Sequence, residues 1–70
     1  MIPDGFTLEQ LEWNVYAFGA DVRRFTHNRD VSRKEHTRAY WQKRLDFASR
    51  CLSDNKGWLA EMEAAALTKE

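Results

Sequence analysis

Apolar residues recur early in the chain at Leu8, Leu11, Val15, Phe18, Val22 and Phe25, with gaps of 3, 4, 3, 4 and 3. Such spacing returns side chains to one face of an α-helix and predicts a helix with a packing seam. Its start is written in "GFTLEQL". Thr7 suits the N-cap and Gln10 falls at N3, the two halves of a capping box. Phe6 and Leu11 have hydrophobic-staple spacing, and Pro3, Asp4 and Gly5 make a turn just upstream. The predicted first helix covers about residues 8–27. Trp13, Tyr16, Ala17 and Ala20 lie beside or away from the seam. Gly19 costs about 1 kcal/mol relative to alanine in a helix interior, and reads either as a site of close helix approach or as a tolerated imperfection.

The segment "THNRDV" interrupts the pattern. Ser32 with Glu35 three residues on reads as a second capping box, which puts a turn at 28–31 and a second helix over about 33–67. The new seam is Trp41, Leu45, Ala48, Leu52, Asn55, Leu59, Met62 and Ala66. "SDNKG" carries helix-breaking residues, but the phase is unbroken on either side of it. One continuous helix is the favoured reading, and a third helix capped by Ser53 or Asp54 is the alternative. Tyr40, Phe47, Cys51 and Trp58 form a second stripe that widens the apolar face. A short connection between two helices makes them antiparallel neighbours, so the fold class is all-α: a helical hairpin with a long second helix.

Folding helix 1 back around a turn at 28–31 sets Phe25 near Arg38, Phe18 near Trp41 or Leu45, and Leu8 near Leu52. Helix 2 then overhangs from Asn55 to about Thr68, roughly 20 Å at 1.5 Å per residue. The overhang is apolar, and exposed apolar surface of that kind marks an interface. A two-fold homodimer, giving a four-helix bundle, would cover it through Asn55, Trp58, Leu59, Met62 and Ala66. Asn55 on the seam reads as a buried polar residue fixing register, or simply as the mark of a helix break.

The totals agree with a need for a companion. Seventy residues allow one small domain, and a core of that size is marginal alone. Cys51 is the single cysteine, so no disulfide forms within the chain, and the lone thiol suits a reducing cytoplasm. Cys51, His27 and His36 lack metal-ligand spacing. The start "MIPDGFTLEQ" lacks the layout of a secretory signal, and no run approaches the length of a membrane span.

Charge adds a direction. From Arg23 to Arg44, eight basic residues stand against Asp30 and Glu35, giving +6, and the rest of a neutral chain must carry −6. The basic tip, with Arg29, Arg33, Lys34 and Arg38, suits an acidic protein surface. Nucleic acid is the alternative partner, with Tyr40 and Trp41 able to stack on bases, and a solvated helix end is the plain reading.

Motifs for catalysis or cofactor binding are not found: no glycine-rich phosphate loop, no HExxH, no paired cysteines. Cys51 and His36 lie fifteen residues apart on one helix, about 22 Å by helical rise, so Cys51 reads as a small core residue and not as a nucleophile. Trp13 and Tyr16 are the large aromatics least needed by the seam, and aromatics with arginine dominate binding hot spots.

Finally, "EHTRAYWQKRLDFASRCL" (residues 35–52) resembles a segment of the small phage-encoded quorum-sensing anti-activator proteins. The likeness lies in a His- and Arg-bearing helix start, an aromatic, the Leu45-Asp46-Phe47 step and small residues, over about a quarter of the chain. Helix 1 here is richer in aromatics. The resemblance implies a dimeric helical hairpin that binds and inhibits a host protein, such as a transcription activator or a pilus motor ATPase, in the host cytoplasm. No binding residue is carried over from it.

Overall fold

The computed structural model describes residues 2–68. Two helices account for nearly all of them: α1 (Leu8–Val31) and α2 (Glu35–Thr68), packed against each other as an antiparallel hairpin 54 Å long. No strand is present among the described residues.

The N-terminus of α1 is the capping box written in the sequence. The Thr7 side-chain oxygen accepts from the Gln10 backbone N–H at 3.1 Å, and the Gln10 side chain accepts from the Thr7 N–H at 3.0 Å. Gly5, at φ +93°, takes the left-handed conformation that favours glycine and lets the preceding arm turn. Phe6 follows, and its ring stacks on Trp58 with centroids 5.9 Å apart.

The turn departs from the sequence expectation. Helix α1 does not stop near residue 27; it runs on through "THNRDV" to Val31. That segment holds no Gly or Pro; its Thr26 Oγ1 donates to the Val22 carbonyl at 2.7 Å, and Ser32, just beyond it, donates its Oγ hydroxyl to the Asn28 carbonyl at 2.6 Å. Ser32 is therefore the C-cap of α1, its backbone N–H bonded to the Arg29 carbonyl, and not the N-cap of α2. The connection is 32–34, and α2 opens with the Lys34 carbonyl accepting from the Arg38 N–H at 3.0 Å.

Moving the turn moves the register. Phe25 packs with Trp41 (5.6 Å between centroids), not beside Arg38; Asn14 bonds Asn55; Phe6 meets Trp58. The observed pairing carries α1 about one helical turn further along α2 than the early turn implies. The overhang shrinks accordingly. Asn55 and Trp58 are reached by the chain's own N-terminal part, and the exposed apolar positions at the end of α2 are Ala60 and residues 64–67, with Leu67 74% exposed. Helix α2 itself is continuous through "SDNKG", so the alternative third helix does not form.

The core is thin. Among the described residues the buried hydrophobics are Leu11, Phe25, Leu45 and Ala48, with Val22 and Trp41 packed on the Phe25 cluster. Val15, Phe18, Leu52, Leu59 and Met62 are half-buried. Two helices can bury only the seam they share, and each leaves its flanks uncovered. Gly19 serves no close approach: a methyl group built there would meet nothing nearer than the Arg23 side chain at 3.8 Å.

Candidate functional site

Three surfaces carry the residues singled out by sequence. The first is the back of α1. Trp13 lies about 160° around the helix from buried Leu11, so it points away from α2. It stands 64% exposed beside Tyr16 at 67%, the two rings edge-to-face with centroids 5.9 Å apart. Glu9 and Glu12 complete a shallow groove of about 430 Å³ there. Neither aromatic contributes to the shared seam, as the heptad spacing predicts.

The second surface is the basic turn end. Arg29 is held, not presented. Its guanidinium donates to Gln42 at 2.9 Å and to Asp30 at 3.0 Å, and Gln42 in turn donates to Asp46 at 2.7 Å. This relay ties the end of α1 to α2, which makes Arg29 a structural residue first and a partner-binding candidate second. Arg38 lines a groove of about 800 Å³ with Arg29, Asp30 and Glu35. Arg33 and Lys34 sit exposed in the connection. The structure thus brings Arg29 and Arg38 together at one end of the rod and leaves Trp13 and Tyr16 toward the other.

The third surface is one flank of the hairpin, where both helices contribute. Phe18, Asp21 and Phe25 from α1 face Lys43, Arg44 and Phe47 from α2 across a groove of about 360 Å³. The Arg44 guanidinium lies 5.3 Å from the Phe25 ring centre and 5.6 Å from that of Tyr40, and donates to the Tyr40 hydroxyl at 3.1 Å. Stacking of that kind holds the cation against the aromatic surface. Phe47 remains 61% exposed and Tyr40 52%. Cys51 and Trp58, both half-buried, continue the stripe toward the open end.

Of the residues placed by sequence in a dimer seam, Trp58, Leu59 and Met62 are half-buried and Ala66 is exposed. Asn55 is not available for that seam. It is 5% exposed, accepts from Asn14 Nδ2 at 3.1 Å, and donates to the Cys51 carbonyl at 2.8 Å. Sequence reading passed over Asn14, although it falls on the core side of α1 between Leu11 and Val15, as a partner for a seam asparagine should. It also left Phe47 and Arg44 out of the site, because the flank they build needs both helices to be seen at once. Cys51 and His36 stay far apart on α2. No group of three or more potential metal ligands occurs among the described residues, and no helix there is long and apolar enough to cross a membrane.

No protein-family model, curated protein or solved structure matches the chain.

Proposed function

We propose that the hairpin is a homodimeric binding subunit that captures another protein and, as the resemblance of residues 35–52 to the phage anti-activators implies, inhibits a host protein. The observation that carries this reading is the Trp13–Tyr16 pair. Two large rings, about two-thirds exposed and fixed edge-to-face on the back of α1, have no work to do in the shared core. Rigid aromatics deliver large contact area at low entropic cost, which is why they anchor interfaces. Arg33, Lys34 and Arg38 at the turn end would steer an acidic surface toward the molecule. Dimerisation through the exposed apolar surface supplies the burial that a two-helix core lacks.

The test is capture from bacterial lysate with quantitative mass spectrometry, comparing the wild type with Trp13→Ala. The reading expects a specific protein to be lost from the Trp13→Ala capture while the circular dichroism melt stays nearly unchanged. An identical captured set, or a melt lowered as far as by a core substitution, would make Trp13 structural and remove the reading.

A further inference from the structure

We infer that a second copy of this chain covers the Phe18–Phe47 flank, lying antiparallel to the first. This rests on the dimeric reading above and adds the face and the direction.

Area comes first. The chain exposes 5523 Å², whereas a compact monomer of its 8.3 kDa mass would expose about 4,600 Å². The excess, about 900 Å², is close to the roughly 800 Å² that each partner gives to a standard interface. A second hairpin is the occupant whose size matches the deficit.

The face follows from what each side offers. One flank presents Gln42, Ser49, Ser53 and Lys56 along the middle of α2 and turns apolar only at Ala60 and Leu67 near the open end. The back of α1 is rimmed by Glu9 and Glu12. The remaining flank shows Phe47 and Tyr40 more than half exposed, beside half-buried Phe18, Cys51 and Trp58. Phe6, the one nearby aromatic of the N-terminal arm, is already committed to Trp58. Nothing else in the described chain can close this flank.

The direction follows from charge. Residues 23–44 carry +6 and the remainder −6, so each hairpin is a rod with a positive turn end and a negative open end. On the flank itself Lys43 and Arg44 outnumber Asp21 toward the turn, and Asp54 lies toward the open end. Packed helices stand 8–10 Å apart, within about one Debye length at physiological salt, so these charges are felt across the interface. Parallel packing would lay cation on cation. Antiparallel packing sets each turn end beside the partner's acidic open end, with the two-fold axis near Cys51, midway between Tyr40 and Met62.

The direct test is a pair of spin labels. A label at Arg33→Cys in a Cys51→Ala background sits 18 residues before the proposed axis. Helical rise then predicts an inter-label distance of about 50 Å by double electron–electron resonance, against less than about 25 Å for a parallel pair. A distance near the longer value supports the inference. A short distance overturns the direction while leaving the dimer standing, and no dipolar modulation at high concentration overturns both. The face is tested by Phe47→Asp, which should weaken self-association at least about a hundredfold, with Ser49→Asp on the polar flank as the control that leaves it unchanged. A dimer indifferent to Phe47→Asp, or lost with Ser49→Asp, would place the interface elsewhere. The label distance is read on a chain with both positions intact, so it decides even if Phe47→Asp fails to fold.

Discussion

Asn14 and Asn55 are the residues that join the two helices away from the turn. Each sits on the core side of its helix, and each would leave the other's amide without its partner if removed. Truncating one member of a buried hydrogen bond costs about 1–3 kcal/mol, and Asn14, being half-buried, can recover some water. Asn55→Ala is therefore expected to lower stability by about 2 kcal/mol and Asn14→Ala by about 1 kcal/mol, with the double variant less than additive. Urea melts of the four proteins check this, and strict additivity would show that the two side chains do not act together. Part of the arrangement was legible in advance. Asn55 stood out as a polar residue in an apolar stripe, but its partner did not, because that required the true position of the turn. Thr7 was wholly legible, since a capping box is local: its two bonds span three residues and owe nothing to tertiary structure. Trp13 and Tyr16 were legible for the converse reason, as large aromatics in the wrong phase for the seam.

At the scale of the elements, the turn explains most of the difference between expectation and structure. A serine followed three residues later by glutamate serves a helix start, yet a serine hydroxyl can equally close the helix before it. Here Ser32 bonds back to Asn28, and Lys34 is left as the residue that precedes Glu35, the first of α2. A lysine is a poor residue at that place, because it provides no acceptor and its charge opposes the helix dipole. Lys34→Asp is expected to stabilise the hairpin by about 1 kcal/mol, raising Tm by about 4–8 °C. No rise would mean that the α2 start is satisfied in some other way. Gly57 offers a second element-scale check. It lies inside continuous α2 with open space where a Cβ would go, so Gly57→Ala should stabilise by up to about 1 kcal/mol. A loss of stability there would point to the break that "SDNKG" suggested. Continuity of α2 was readable from the seam phase on both sides, because tertiary burial of Leu52, Asn55 and Leu59 outweighs weak local propensity.

For the whole molecule, the proposed companion no longer rests on an overhang of α2 but on a different surface. The unclosed apolar surface is less the C-terminal end of α2 than the flank along the middle of both helices, where Phe47 and Tyr40 stand exposed. Sequence showed these residues as a second stripe. It did not show them as an open face, because that depends on which side of α2 the first helix occupies. A hairpin whose folded state is a dimer must melt at a temperature that rises with protein concentration, since association stabilises only the folded form. The turn-to-open-end charge arrangement further predicts that raising salt weakens the dimer, as screening removes the attraction between opposite ends. The central claim is that this two-helix chain is completed by a second copy of itself, and sedimentation equilibrium of the wild-type protein from micromolar to near-millimolar concentration tests it most directly. The account predicts a mass twice that of the 8.3 kDa chain, dissociating only at the dilute end. A single-chain mass across the whole range, with the helices still formed, would contradict it.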